Sequence, residues 1–472
     1  METVSYTAVV LGAGPGGYPC GIRLGQLGVR TLVIEREYWG GVCLNVGCIP
    51  SKALITAGKR IEEIEHAGDM GIEVPGKPTV NMGKLQAWKQ TVVNKLTGGV
   101  RTLLKGNKVD MMVGSAVFVG PHTLEVTTAD GVKRVEAEHI VIATGSRPME
   151  IPGFSFAEAR ILDSTKALAL TTIPRRLAVI GGGYIGLELG SMYRKLGTEV
   201  TVVEMADQVL PGFDPDVVKL IARRLKKSGI TVALQSQALG WEEGDGGAIL
   251  RYKTPEGEKQ VEVDAILVTV GRRPNTDGIG LDTTGVAMEG RFIRTDNQLK
   301  TTVPGLYAIG DCTTGLMLAH KATHEGEVVA EVIAGKRAFN DAKTVPAVVF
   351  TDPEIATAGL QEHEARAKGY TLKVGKVPFA AIGRALTTNE TDGFIKVIGD
   401  AADNRVLGVT IVGPHASDLI SEAVLAVEMD CELLDIGLSI HPHPTLSEGL
   451  MEAAKAALGE AVHILNTATP AH

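Results

Sequence analysis

Of the five cysteines in this chain of 472 residues, Cys43 and Cys48 differ from the rest. They are separated by four residues in the run Gly40-Gly41-Val42-Cys43-Leu44-Asn45-Val46-Gly47-Cys48-Ile49-Pro50-Ser51-Lys52. That spacing closes a short ring and could bring the two sulfurs together at one end of a helix. Closing so small a ring contributes little loop entropy, so a disulfide here is suited to reduction rather than to bracing a fold. A helix terminus or a nearby cation would lower a thiol pKa and supply the thiolate that exchange chemistry requires. Two other readings stand beside this one. Half of a metal site would need a second cysteine pair or clustered histidines, and the sequence around the pair offers neither. Two buried cysteines without chemistry would fit the spacing as well. Cys20, Cys312 and Cys431 are isolated in sequence and read as small buried hydrophobes.

Such a pair needs elements to hold it, and a strand-turn-helix-strand pattern occurs twice. Residues 6–11 form an apolar strand leading into Gly12-Ala13-Gly14-Pro15-Gly16-Gly17, a helical stretch to about Leu27, and a second strand ending at Glu35. Residues 177–180 lead into Gly181-Gly182-Gly183-Tyr184-Ile185-Gly186, a helix to about Leu196, and a strand ending at Glu204. Each acidic residue stands 23 positions after the first glycine of its copy. One G-x-G-x-x-G is weak evidence; two, each between strand and helix and with matched acidic strand ends, specify two dinucleotide sites. In each, Gly12 or Gly181 permits the tight turn, and Gly14 or Gly183 lets backbone approach a pyrophosphate. Gly17 or Gly186 lets helix and strand pack closely, and Glu35 or Glu204 can accept ribose hydroxyls.

Further strands ending in glycine, at 140–145, 266–271 and 306–310, read as returning strands. The first nucleotide domain is therefore interrupted by the second. From Thr344 the texture changes to strands at 347–350, 394–398 and 406–412 and amphipathic helices, a separate α+β domain whose helix at 416–429 faces a core. The length requires several domains, since one core serves about 100–200 residues. The net charge of −8, with one short basic run at 223–227 read as a solvated helix face, argues against a nucleic-acid partner. An unbroken apolar run of about 18 residues, which a membrane span would need, does not occur, so no membrane association is expected. The N-terminus enters a strand almost at once, with no signal-peptide pattern. A cytoplasmic location is the expectation, or the mitochondrial matrix if a presequence has been removed.

The segment from Gly40 to Lys52 resembles the active-site signature of the pyridine nucleotide-disulfide oxidoreductase family that includes glutathione reductase and dihydrolipoamide dehydrogenase, and the similarity extends over essentially the whole chain. The resemblance implies an α/β fold of two Rossmann-like domains, binding FAD and NAD, plus a C-terminal α+β interface domain. Residues 1–148 and 273–344 would form the FAD part, 149–272 the inserted NAD domain and 345–472 the interface domain. Cys48 would be the sulfur beside the flavin and Cys43 the interchange thiol that meets substrate. Lys52 would stand near the reactive flavin edge, paired with Glu188. Gly41, Thr144, Gly145, Gly310, Asp311 and Ala319 would lie along FAD, and Gly271 along NAD. In His441-Pro442-His443-Pro444-Thr445-Leu446-Ser447-Glu448, His443 and Glu448 resemble the family's acid-base dyad, whereas His441 reads as structural. The dyad reaches the partner's active site in relatives, which implies a homodimer. Val42 departs from the threonine many members carry before the first cysteine, so a hydroxyl contact to FAD is absent.

Within that family, Glu204, with no arginine at 205–213, favours NAD over NADP, because a carboxylate repels a 2′-phosphate. The tail through His472 lacks the extra cysteine pair of mercuric reductases and large thioredoxin reductases, while both active-site cysteines are present, unlike in soluble transhydrogenases. The expected reaction is oxidation of protein-bound dihydrolipoamide by NAD⁺ through Cys43–Cys48 and FAD, with no metal. Its partner would be a lipoyl-bearing acyltransferase or carrier protein of a 2-oxo-acid dehydrogenase or glycine-cleavage complex, since no lipoyl domain precedes Met1. The alternatives are an NAD(P)H-dependent reductase of a small disulfide and a docking subunit.

Overall fold

The computed structural model describes residues 2–466; the tail at 467–472, part of the stretch read above for an extra cysteine pair, lies outside the described residues. The chain forms two compact units, Met1–Ile173 with Val270–Asp341, and Pro174–Thr269 with Ala342–His472. Each contains one Rossmann-like sheet, and the second also contains the C-terminal α+β fold.

In the first unit, the strands Asp110–Val113, Thr31–Glu35, Glu2–Leu11 and Gly131–Ile142 lie parallel in that order, and Leu306–Ala308 pairs parallel with Gly131–Ile142. Val9 is in register with Leu32 on one side and Ile140 on the other. Thr31–Glu35 is buried throughout, as a central parallel strand covered on both faces requires, whereas the antiparallel strand Ser115–Gly120 alternates exposed and buried residues. That antiparallel extension, Thr123–Thr128 with Ser115–Gly120, is absent from the sequence reading, although Gly120-Pro121 and Asp130-Gly131 mark its turns. The helix Gly17–Gln26 follows the first strand, and the helices Gly41–Val46 and Cys48–Glu65 follow the second. The stretch Gly41–Glu65 is long and apolar enough to cross a membrane by length and composition, a test that core helices also pass. Gly47 divides it into two helices, and Pro50, Ser51, Ala53, Leu54 and Gly58 pack inside the unit.

The second unit repeats the plan. Thr231–Ala233, Glu199–Val203, Arg176–Ile180 and Ala265–Val268 are parallel in that order, and Gln237–Gly244, Gly247–Thr254 and Gly257–Val263 form a separate antiparallel sheet inserted in sequence before the last of them. Its C-terminal part is a five-stranded antiparallel sheet: Ala347–Val349, Glu354–Gly359, Val406–Gly413, Phe394–Asp400 and Leu372–Pro378. Every residue of Val406–Gly413 is buried, because the helices Ala416–Glu428 and Glu448–Leu458 help enclose the sheet in a core containing Phe379, Ile395, Ile411, Ile420 and Leu450. Ile420, Ala423 and Val427 of the first helix are buried as its periodicity requires. Arg223, Lys226 and Lys227 of the basic run are exposed, the solvated helix face expected of it, with Arg224 more covered. Arg224 is not a free solvated side chain: it pairs with Asp392 at 3.0 Å, and Arg223 reaches the same carboxylate.

A buried charge cluster ties the two parts of this unit together. Lys396, 3% exposed, bonds Asp214 at 2.7 Å, Asp216 at 3.1 Å and Glu362 at 3.3 Å. Burial alone would raise the Asp214 carboxyl pKa, but hydrogen bonds from Lys396 and His363 overcome it and hold the value at about 2. A depressed pKa stabilises the fold above the ordinary aspartate range, and that contribution is lost as pH falls from about 4 through about 2. Asp214→Asn should therefore cost about 2–3 kcal/mol near neutrality, the equivalent of a carboxyl pKa lowered from about 4 to about 2. In urea unfolding series the gap to the parent protein should close as pH drops below 4; a gap constant with pH would contradict the assignment.

Candidate active site

The two glycine turns have the same atomic logic. Gly12 and Gly181 both have φ of +105°. A Cβ on Gly12 would lie 2.4 Å from the Ala143 carbonyl oxygen, and one on Gly181 2.6 Å from that of Thr269, so each turn is pressed against the returning strand of its own sheet. A Cβ on Gly17 would meet the Gly12 oxygen at 1.8 Å, and one on Gly186 the Gly181 oxygen at 2.2 Å. The middle glycines differ: beside Gly14 the nearest atom is the Gly41 Cα at 3.9 Å, and Gly183 has nothing within 4 Å. Backbone surface is thus left open where a pyrophosphate would approach, and neither Gly17–Gln26 nor Tyr184–Lys195 begins with a side-chain cap, leaving N–H groups for an anion.

Each acidic strand end is already held by this backbone. Glu35 accepts the N–H groups of Ala13 at 2.7 Å, Glu37 at 2.9 Å and Tyr38 at 3.1 Å. Glu204 accepts those of Gly182 at 2.5 Å and Ala206 at 2.7 Å. A carboxylate has about four acceptor positions, so both retain capacity for a ribose hydroxyl.

Around the first turn, Gly41 has φ of +63° and its Cβ position lies 2.5 Å from the Gly14 Cα. Gly145 and Thr144 are fixed by Asn275, whose N–H donates to the Gly145 carbonyl at 2.8 Å and whose carbonyl accepts the Thr144 hydroxyl at 2.7 Å. Asp311 accepts the Ser146 hydroxyl at 2.5 Å, and Arg272 Nε donates to that hydroxyl oxygen at 2.7 Å. Glu325, 1% exposed, accepts the Gly310 N–H at 2.6 Å and pairs with Lys321 at 2.6 Å. Ala319 opens the helix Ala319–Ile333, which also starts without a side-chain cap and is joined to the first turn where the Thr323 hydroxyl donates to the Pro15 carbonyl at 2.8 Å. Gly271 has φ of +127° and accepts the Met149 N–H at 3.1 Å.

Ser146, Arg272, Asn275, Lys321 and Glu325 escaped the sequence reading. A signal for two of them was present: Gly145-Ser146-Arg147-Pro148 and Gly271-Arg272-Arg273-Pro274 are similar runs, and their strands pair antiparallel.

Cys43 and Cys48 are joined, with Cα atoms 4.6 Å apart, and both are half-buried. Cys43 lies in the short helix Gly41–Val46, and Cys48 opens the 18-residue helix Cys48–Glu65. The Asn45 amide braces the turn by donating to the carbonyls of Trp39 at 3.0 Å and Gly41 at 2.9 Å. A thiolate at Cys48 would sit at a helix N-terminus, where the dipole favours negative charge. Lys52, four residues on and half-buried, shares that helix face.

In the second unit, Glu188 is 4% exposed on Tyr184–Lys195 and accepts the Phe350 N–H at 2.9 Å. His443 Nδ1 lies 2.9 Å from Glu448 Oε1, and the other carboxylate oxygen accepts the Thr445 N–H at 2.8 Å. Burial would raise the Glu448 pKa, but the Thr445 N–H and the His443 imidazole outweigh it and lower the value. His443 is 77% exposed, whereas His441 is nearly covered and bonds Glu422 at 3.0 Å. Among the described residues no group of three or more histidine, cysteine, aspartate or glutamate side chains could hold a metal ion.

Residues 6–326 match the family described as pyridine nucleotide-disulphide oxidoreductase, and residues 345–454 match its dimerisation domain. The chain belongs to that family. It is 50% identical over 459 residues to the dihydrolipoyl dehydrogenase of Bacillus subtilis, covering 97% of each chain. It is 47% identical over 463 residues to the dihydrolipoyl dehydrogenase of Halobacterium salinarum, again covering 97% of each. Among solved structures, LpdA from Mycobacterium tuberculosis superposes with a TM-score of 0.88 at 27% identity, over 96% of this chain and 99% of that one. The HOCl-induced flavoprotein disulfide reductase RclA from Escherichia coli superposes with a TM-score of 0.85 at 29% identity, over 95% and 99%.

The glycine geometry makes a direct prediction. Gly186→Ala forces a methyl group into the Gly181 carbonyl and should lower stability by about 3 kcal/mol or more, the range of severe packing strain. Gly183→Ala, with open space around it, should melt within a few degrees of the parent. Equal melting temperatures for the two variants would refute the packing argument.

Proposed function

We propose that this chain is an NAD-dependent dihydrolipoyl dehydrogenase that oxidises protein-bound dihydrolipoamide through the Cys43–Cys48 disulfide. The observation that carries the reading is near-full-length identity of about 50% with enzymes of that name, in a chain that retains the joined cysteines and the His443–Glu448 pair. Residues 1–148 and 273–344 hold FAD, and residues 149–272 hold NAD. Glu204, partly engaged by Gly182 and Ala206, takes the ribose hydroxyls and disfavours a 2′-phosphate. Gly12, Gly14, Gly17, Glu35, Gly41, Thr144, Gly145, Gly310, Asp311 and Ala319 line the flavin site; Gly181, Gly183, Gly186, Glu204 and Gly271 line the nicotinamide dinucleotide site. FAD held by those residues would supply the electron acceptor for the dithiol and the hydride donor for NAD⁺.

The residues of this chain handle the thiols and the proton. One substrate thiolate attacks Cys43 Sγ; the bond between Cys43 and Cys48 breaks, and Cys48 leaves as a thiolate stabilised by its helix N-terminus. The second substrate thiol then attacks the mixed disulfide, closing the lipoamide ring and releasing Cys43 as a thiol. His443 holds its Nδ1–H on Glu448, so Nε2 is the nitrogen free to take the substrate proton. Lys52 and Glu188 place charge near the flavin edge.

The chain works as a homodimer, with His443 and Glu448 serving the partner's site. The dimerisation-domain match supports this, as do the exposed apolar side chains of Leu425, Met429, Leu434, Leu438 and Ile440. A lipoyl-bearing acyltransferase or carrier protein of a multienzyme complex supplies the substrate, in the cytoplasm. The test is His443→Gln in flavin-loaded dimer: dihydrolipoamide oxidation should slow by at least about a hundredfold, the usual scale of a lost acid-base group. Unchanged turnover in that variant would remove His443 from the mechanism.

A further inference from the structure

Between Glu204 and the helix Pro215–Lys227 runs a loop that shapes the second glycine turn. Its residue Leu210 donates its N–H to the Gly182 carbonyl at 2.9 Å, and its residue Ala206 donates to Glu204. The loop thus touches both the turn and the acidic strand end through backbone bonds. It does so in a conformation it would not choose: Leu210 has φ of +50°, left-handed for a bulky side chain that is 2% exposed. Beside it, Asp207, Gln208 and Val209 border an open pocket of about 520 Å³ together with Val218, Ala222 and Lys226. The far end of the loop is Asp214, directly before the helix Pro215–Lys227.

That end is anchored in the C-terminal fold by side-chain bonds between the N-cap residues of two helices. Asp214 is the N-cap of Pro215–Lys227 but makes no side-chain cap to its own helix. Its carboxylate instead accepts the N–H groups of Glu362 and His363, each at 3.1 Å, at the start of Glu362–Ala367. Gln361, the N-cap of that second helix, returns the contact: its side chain accepts the Asp214 N–H at 3.1 Å and donates to the Gly212 carbonyl at 2.8 Å. The buried Lys396 ammonium neutralises Asp214 from the strand Phe394–Asp400.

Resting on the NAD-dependent reading above, we infer that Asp214, Gln361 and Lys396 are positioning residues for NAD⁺: by anchoring the loop they hold Glu204 and the Gly182 backbone in the geometry that receives the adenine ribose and pyrophosphate. None of the three touches the dinucleotide site itself.

The experiment is calorimetric titration of NAD⁺ into flavin-loaded dimer, without dihydrolipoamide, so an error about the thiol substrate leaves the readout untouched. Gln361→Ala removes two anchoring bonds together with the cap of its own helix and strands no buried charge; NAD⁺ should bind about three- to tenfold more weakly, as expected for one or two lost hydrogen bonds. Lys396→Met, which uncouples the charge cluster, should weaken NAD⁺ binding further. In steady state, KM for NAD⁺ should rise in Gln361→Ala while the rate of flavin reduction by dihydrolipoamide in a single turnover stays at the parent value. NAD⁺ affinity equal to the parent's in Gln361→Ala, whether or not its melting temperature falls, would overturn the inference and leave the cluster a purely structural joint. An equal loss in flavin reduction would also overturn it.

Discussion

The contact on which the rest of the structure depends is that between a helix and the turn that precedes it, made without any side chain between them. At Gly17 and at Gly186 an added methyl group would fall inside a backbone carbonyl. That closeness brings the first turn of each helix over the end of its sheet, with N–H groups uncapped and the acidic residue of the next strand drawn onto the turn. Dispersion and burial fix the position; the helix dipole and free N–H groups then give it a preference for anions. In both copies a backbone packing constraint produces an electrostatic site.

Charge is used differently in the two units. In the first, buried Glu325 is matched by Lys321 and a backbone N–H, and Asp311 is held in a chain from Arg272 through Ser146. These pairs stand beside the residues read as lining FAD, and they fix groups whose misplacement by an ångström would matter for an electron transfer. In the second, the Lys396 cluster lies away from the glycine turn and joins two segments distant in sequence. Buried ion pairs add little net stability compared with apolar packing, but leaving one partner alone is costly, so they specify which surfaces meet. That property suits a joint between a nucleotide fold and the sheet that carries the His443 dyad.

Much of this was legible in the sequence because it is written in short spacings. The glycine turns, Glu35, Glu204 and the cysteine pair lie within windows of about two dozen residues, and strand or helix periodicity around them is strong. The strands Glu354–Gly359 and Leu372–Pro378 and the antiparallel extensions at Ser115–Thr128 and Gln237–Val263 were not read. Their turns are marked only by short signals such as Gly120-Pro121, Asp130-Gly131 and Asp245-Gly246-Gly247, which mark a turn without defining the strands on either side. Residues that steady the sites, such as Ser146, Glu325 and Lys396, act over separations of 15 to 182 residues, and a single sequence carries no record of such pairings. The basic run at 223–227 shows the same limit: composition suggests a solvated face, and only the fold brings Asp392 to Arg224.

The central claim is that one chain couples a thiol-exchange disulfide to an NAD-selective dinucleotide site. Its most direct test is the rate of NADH formation from dihydrolipoamide and NAD⁺ by purified, flavin-loaded dimer, paired with NADP⁺ at equal concentration. The account predicts sustained turnover with NAD⁺ and a rate at least about tenfold lower with NADP⁺, the equivalent of about 1.4 kcal/mol of repulsion at Glu204. Flavin-loaded protein that fails to oxidise dihydrolipoamide, or that prefers NADP⁺, would contradict it.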